Sequence, residues 1–349
     1  MIEALEFWNE PNNLSHWDYE SDPQWCRFSQ MVATAARRVG EIAPQVRRVL
    51  GGICPIDPHF VRLMGEQGVL DEMDAIGVHG FPLDWDRWPI DEWPDRIALV
   101  EAVTQLPVWV TEVGSSDLDA DERQAWAIRR TAQLLHRRVE RTFWYSLLDL
   151  PEAWPAEISP YEPRSGSNYL RHYRMGLLRS CGNPKPAAFA FDATLGICQW
   201  FHWHDPRLED AVAWLRRLGV RRLRTCISWA DWHRPDKLAW FDRLMAMLDE
   251  FDLTIILCFT PPSRGVRPSI TSPPRDFGEF AWFCEEVTRR YVLRELERER
   301  LPRGGATATV PAVPAAALTD SRIDADADRA RPAIIGEAVT ASSSTARIA

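Results

Sequence analysis

Along this chain the spacing of apolar residues switches back and forth between two periods. Short apolar or alternating runs predict strands: IEALEFW from Ile2, VRRVLGG from Val46, DAIGVHG from Asp74, PVWVTEV from Pro107 and RTFWYSLL from Arg141. Between them, apolar residues recur every three to four positions and predict helices over about 22–42, 57–69, 91–104 and 119–138. In the last of these, Trp126, Ile128, Ala132, Leu135 and Val139 mark an inward stripe, and Asp119 and Asp121 give the helix a negatively charged start. A loop rich in Pro, Ser and Tyr follows at about 150–172, and a short helix opens at NPKPAAFAF, where Pro186 is tolerable in a first turn. The alternation then resumes. Strands TLGICQWF, VRRLRTCISW and LTIILCF are followed by helices from Asp205 to Leu218, Asp236 to Phe251, and about Phe277 to Leu296.

Five strand–helix units and then three make eight, which predicts an α/β fold, a (β/α)8 TIM barrel with a parallel sheet. EFWNEP, at Glu6, reads as a strand carrying catalytic chemistry, yet it stands first. The strands expected before it are supplied by the other end of the chain, so the barrel reads as circularly permuted, strands four to eight and then one to three. On this reading residues 1–300 form the catalytic barrel, with strands four to eight in 1–192 and one to three in 193–300. Residues 301–349 are Ala-, Thr-, Ser- and Pro-rich without an aromatic residue and predict a disordered tail. The DADAD run inside it lacks the Gly and distal Glu of a calcium-binding loop.

Composition narrows the function. With 349 residues, 46% hydrophobic and 26% charged, the chain can bury a substantial core. A net charge of -9 and a pI near 5.5 argue against nucleic acid or an anionic membrane as partner, and the arginine pairs are dispersed. No run approaches the roughly 20 apolar residues that span a bilayer. MIEALEF lacks a basic region followed by an apolar one, so it does not read as a secretory signal. Seven cysteines without a C-x-x-C pair fit free thiols in a reducing cytoplasm. Oligomeric state stays open.

Two carboxylates end predicted strands: Glu10 after EFWN, and Glu112 in VWVTE. As strands four and seven of a barrel they face each other across the mouth. Such a pair suits glycoside hydrolysis with retention, in which carboxyl groups about 5–5.5 Å apart act as nucleophile and acid/base. At that separation two charges repel by about 3 kcal/mol at an effective dielectric of about 20, so one carboxyl is expected to hold a proton near neutral pH.

The stretches FWNEPNN, VTEVGSS, GVHGFP, FWYSLLD, GLLRSCGNPKPAAFAF and LRTCISWADW resemble the retaining glycoside hydrolases of clan A, and within them the β-xylosidase-like family 39. The resemblance implies a retaining glycosidase acting on a β-linked glycoside, with Glu10 as acid/base and Glu112 as nucleophile. It places Asn9 on the sugar 2-hydroxyl, Arg224 beside the nucleophile, and His79 and Trp144 in the sugar pocket. One departure stands out: clan members commonly carry a tyrosine two residues after the histidine, its hydroxyl bonded to the nucleophile, where this chain has Phe81. Another donor is then needed, or the nucleophile is poorly held.

The 17 tryptophans fit a sugar site, since flat apolar rings meet the C–H faces of pyranosides. Trp8, Trp144, Trp200 and Trp229 are expected as pocket walls and Trp85 and Trp88 as a rim, whereas Trp25, Trp126, Trp214 and Trp240 read as core. His202 and His204 share a strand face in FHWHD, but without a third ligand they do not make a metal site. No cofactor motif is present, neither G-x-G-x-x-G nor a Walker loop. Two other readings stay open: a catalytically inactive carbohydrate-binding barrel, and a hybrid of two half-barrels that closes only with a partner chain.

Overall fold

The computed structural model describes residues 1–118, 120–151 and 171–293, and in them the predicted alternation closes into a ring. Asp119, most of the loop at 150–172, the end of the last helix and the tail lie outside the described residues. In chain order the elements are β1 (Ile2–Phe7), α1 (Cys26–Ile42), β2 (Arg47–Ile53), α2 (Pro58–Glu66), β3 (Ala75–Gly80), α3 (Trp93–Glu101), β4 (Val108–Val113) and α4 (Asp121–Leu135). They continue with β5 (Thr142–Tyr145), α5 (Pro186–Phe189), β6 (Gly196–Cys198), α6 (Leu208–Arg217), β7 (Arg222–Ser228), α7 (Trp229–Trp232), α8 (Pro235–Met247), β8 (Asp252–Cys258) and α9 (Phe277–Val287).

Every strand pairs in parallel with its neighbours, and β1 closes the ring against β8, with Ile2 beside Leu253 and Phe7 beside Leu257. Closure occurs within one chain, without a partner half. β3 and β4 are buried at every position, as parallel strands covered on both faces must be. The helices pack outside. Phe28, Met31, Val32, Ala35 and Val39 of α1 are buried against the barrel.

Two expectations about helices change. The first helix begins at Cys26 rather than near residue 22, because the Asp22 carboxylate turns back to accept the backbone N–H groups of Arg27 and Phe28, and Trp25 sits at φ 52. In α4 the inward stripe runs through Ala125, Ile128, Ala132 and Leu135, while Trp126 is 45% exposed. The indole sits one position off the buried face. FHWHD lies in the turn after β6 rather than on a strand, so the shared face expected for His202 and His204 does not form.

Inside the ring, alternation along each strand sets layers. Ala4, Val49, Ala75 and Trp109 form one small apolar cluster. Two residues further along their strands come Glu6, Gly77 and Thr111. A Cβ on Gly77 would lie 2.9 Å from Glu6 Oε1 and 2.7 Å from Thr111 Oγ1, so this glycine leaves the space that the buried carboxylate occupies. No helix among the described residues is long and apolar enough to cross a membrane, and all seven cysteines are free thiols.

Candidate active site

The site is built where strands run out at the barrel mouth. Glu112 is the fifth residue of β4, and Glu10 follows β1 by three residues. Trp8 and Glu10 have left-handed backbones, φ 73 and 47, a conformation that costs a non-glycine residue on the order of 1 kcal/mol or more. The Asn-Glu-Pro-Asn-Asn turn holds that geometry from several sides. Asn12 accepts the Cys54 N–H at 2.9 Å and donates to Pro55 O at 2.8 Å, tying the turn to the loop after β2. The indole N–H of Trp25 donates to Pro11 O at 2.7 Å, and that of Trp8 to His16 O at 2.9 Å.

The two carboxylates meet. One oxygen of Glu10, one of Glu112 and one ring nitrogen of His79 all lie within 4.8 Å of one another, and all three residues are buried. At that separation two full charges repel by about 3.5 kcal/mol at an effective dielectric of about 20. His79 Nδ1 stands 2.9 Å from Glu10 Oε1 and 3.7 Å from Glu112 Oε2. The imidazole has room because the neighbouring residue on β2 is glycine. A Cβ on Gly52, itself at φ 38, would fall 2.2 Å from His79 Nε2.

Arg224, on β7 and fully buried, ties the cluster together. Its Nε and Nη2 donate to the two oxygens of Glu6 at 2.5 and 3.1 Å. Nη1 donates to Glu112 Oε1 and, at 3.2 Å, to Cys198 Sγ, and Nη2 also reaches Asn9 Oδ1 at 3.1 Å. Nη2 further faces His79 Nε2 at 3.3 Å. A guanidinium only donates, and Nη2 divides its two hydrogens among Glu6, Asn9 and His79, so an unprotonated Nε2 facing Arg224 and an Nδ1–H facing Glu10 is the tautomer that suits both neighbours. That tautomer bears on metal binding: Glu10, His79 and Glu112 have the spacing of a cation site, but Nδ1 faces Glu10 as a donor and Glu112 Oε1 is already taken up by Arg224. The donor set suits anionic carboxylates better than a bound cation.

Burial pushes the Glu10 carboxyl up, but nearby His16, the His79 N–H and the Asn13 amide outweigh it and hold the group down at about 2. Asn13 Nδ2 is 2.8 Å and His16 Nδ1 3.4 Å from Glu10 Oε2. The expectation of a carboxyl that keeps its own proton therefore changes for Glu10: three donors converge on it and favour the anion. Ser15 Oγ, 2.9 Å from His16 Nδ1 and 2.8 Å from Asn13 Oδ1, joins the imidazole and the amide into one cluster. Tyr145, at the end of β5, also belongs to the site. Burial first, and then the charge of Glu112, push its phenol well above the usual range, so its hydroxyl stays protonated.

Of the residues singled out in the sequence, Glu10, Glu112, Asn9, His79 and Arg224 come together. Trp144 on β5 has no exposed surface, and its indole N–H has no hydrogen-bond partner among the described residues. Trp200 is partly buried beyond β6, 6.0 Å from the Phe259 ring. Trp229 and Trp8 are not pocket walls. Trp229 packs 5.5 and 6.1 Å from Phe280 and Phe283 of α9, and Trp8 lies 5.1 Å from Trp17 and 6.1 Å from Phe280, both fully buried. Strand ends near the mouth turn their larger rings outward, under the helices. Of the expected rim, Trp85 packs 4.8 Å from Phe81 and 4.5 Å from His172, and Trp88 lies 5.0 Å from Trp93. Burial keeps His202 neutral, with its pKa lowered to about 4.

Sequence reasoning missed Glu6, Asn13, His16, Tyr145 and Cys198. Glu6 had a signal: it alternates with Ala4 on the inward face of β1, where a buried acid needs donors, and a cation on another inward face supplies them.

No family model matches the chain, and no curated protein matches it. Among solved structures it is similar to a GH53 catalytic domain from Ignisphaera aggregans, at 14% identity and a TM-score of 0.40, over 55% of this chain and 59% of that one. It is also similar to a GH128 endo-β-1,3-glucanase from Amycolatopsis mediterranei, at 16% identity and a TM-score of 0.33, over 54% of this chain and 70% of that one. A third is a β-glucuronidase from Bacteroides uniformis, at 13% identity and a TM-score of 0.40, over 64% of this chain and 26% of that one. These neighbours are glycoside hydrolases. The chain spans 59% of the first of them and about a quarter of the last.

Proposed function

We propose that this barrel is a retaining glycoside hydrolase that cleaves a β-linked glycoside by double displacement, with Glu112 as nucleophile and Glu10 as acid/base. The observation that carries the reading is the approach of the two carboxylates to within 4.8 Å in surroundings that treat them differently. Arg224 holds Glu112 by one oxygen, Oε1, which leaves Oε2 for the anomeric carbon. Glu10 sits among proton-bearing groups. In the free protein it is anionic, and it takes up a proton as the glycoside enters and passes it to the departing oxygen. Attack by Glu112 gives a covalent glycosyl-enzyme. Glu10 then takes a proton from water as water displaces Glu112.

Asn9, whose Oδ1 is held by Arg224, turns its amide N–H groups toward the sugar 2-hydroxyl in this scheme, and Trp144, buried on β5, packs beneath the site rather than against the sugar. The motif order, acid strand first and arginine strand seventh, is that of a clan A barrel entered at its fourth strand. We read the chain as a circular permutation of the family 39 type on that basis. The substrate is a carbohydrate, and neither nucleic acid nor a cofactor has a part in the scheme.

The test is Glu112→Ala assayed on an activated aryl β-glycoside. Turnover is expected to vanish, and added azide to restore it with a product of inverted configuration. Near wild-type activity in Glu112→Ala would remove the assignment. An inactive carbohydrate-binding barrel would instead give calorimetric binding of oligosaccharides and no product from the unaltered protein.

A further inference from the structure

We propose that Cys198 is a positioning residue for Glu112: its S–H donates to Oε1 and fills the place of the hydroxyl donor that Phe81 cannot supply. The inference rests on Glu112 being the nucleophile. Cys198 ends β6 with no exposed surface, its Sγ 3.2 Å from Arg224 Nη1 and 3.6 Å from Glu112 Oε1. The guanidinium has no acceptor, so the sulfur accepts from Arg224 and its single proton is left for the carboxylate. Burial, and next the charge of Glu112, push the thiol well above its usual range, so the proton stays on sulfur. Arg224, Cys198 and Glu112 thus close a triangle around Oε1.

Phe81 gives Glu112 no donor from the loop after β3. It follows His79 by two residues, but its ring packs 4.8 Å from Trp85 and 6.1 Å from Tyr145 and offers the carboxylate nothing to accept. The thiol donor stands on β6 instead. A thiol is a weaker donor than a phenol, and beside the guanidinium it fixes the rotamer of Glu112 and adds to the stabilisation of the anion. Because Oε1 is held twice, rotation about the carboxylate bond is restrained and Oε2 is the atom presented to substrate. The carboxylate is the leaving group of the second displacement, where the S–H stabilises it again.

The experiment uses the full chain with Cys198→Ala and Cys198→Ser. In Cys198→Ala the acid limb of kcat/KM for an aryl β-glycoside is expected to move to higher pH. Its kcat is expected to fall on the order of tenfold through slower deglycosylation, seen as a burst of aryl alcohol equal to the enzyme. Cys198→Ser, which restores a donor, is expected to recover most of both. A structural role alone would lower activity in Cys198→Ala without moving the acid limb, and that result overturns the proposal. Infrared spectroscopy decides the contact without turnover. The S–H band lost in Cys198→Ala is expected to shift to higher frequency in Glu112→Ala, and a band indifferent to Glu112→Ala overturns the inference whether or not any glycoside is cleaved. A shifted band in a protein that cleaves no glycoside would leave the contact standing and remove the glycosidase reading instead.

Discussion

Removing one charge from the centre of the barrel tests the site from below. Glu6 has no exposed surface and gives both carboxylate oxygens to Arg224, at 2.5 and 3.1 Å. Charges about 4 Å apart attract by about 4 kcal/mol at an effective dielectric of about 20. Removing one partner of a buried pair costs about 3–5 kcal/mol where the remaining charge is left without compensation, and Glu6→Gln belongs at the low end of that range because Glu112 still faces Arg224. Glu6→Gln keeps the shape and removes the charge. Arg224 then retains Glu112 as its anionic partner and loses its main one. At roughly 2–4 °C per kcal/mol for a domain of this size, the thermal midpoint is expected to drop by on the order of 10 °C, measured by circular dichroism. Glu101→Gln is the control. Its partner Arg138 lies 2.8 Å away at the surface, where such pairs contribute about 0–1 kcal/mol. A midpoint for Glu6→Gln within 2 °C or so of the unaltered protein would mean that Arg224 does not depend on Glu6, and the charge accounting of the site would be wrong.

Three further outcomes follow from the same geometry. Glu10→Gln should slow glycosides with poor leaving groups by about 10²–10⁴-fold while sparing those whose leaving group needs no proton, which a comparison of aryl and alkyl substrates reads directly. Glu10 also shapes acid stability: its pKa falls from 4.5 to about 2 on folding, so its contribution of about 3 kcal/mol is present above pH 4.5 and lost as pH falls through 2. Urea unfolding between pH 6 and 2 should therefore show a shallower loss of stability in Glu10→Gln than in the unaltered protein. Gly52→Ala should displace His79 and cost about 2–4 kcal/mol together with activity, because its Cβ has no room and its φ is positive. Gly68→Ala, at φ 75 with nothing within 4 Å, should cost only about 1 kcal/mol and leave activity intact.

The ring of eight strands was legible because parallel strands are continuous apolar runs bounded by helix-period segments, and each of the eight runs became a strand. Strand ends were legible too, which is why Glu10 and Glu112 could be paired across 102 positions. What could not be read was side-chain direction beyond the strand ends. Trp229 and Trp8 differ from Trp144 in what packs around them rather than in spacing, and the rings of α9 claim both. His16 is six positions from Glu10 along the chain, and only the tight turn through Asn13 returns it to the carboxylate. Cys198 belongs to no motif, since a weak donor in a three-residue strand looks like any small core residue until the partner from β4 is placed beside it.

The central claim is a covalent double displacement between two facing glutamates. Proton NMR of the first sugar released by the unaltered protein from an aryl β-glycoside tests it most directly. The account predicts that the β-anomer appears first and converts to the α-anomer only by slow mutarotation. Immediate appearance of the α-anomer would mean a single displacement by water and would contradict the assignment of Glu112 as nucleophile.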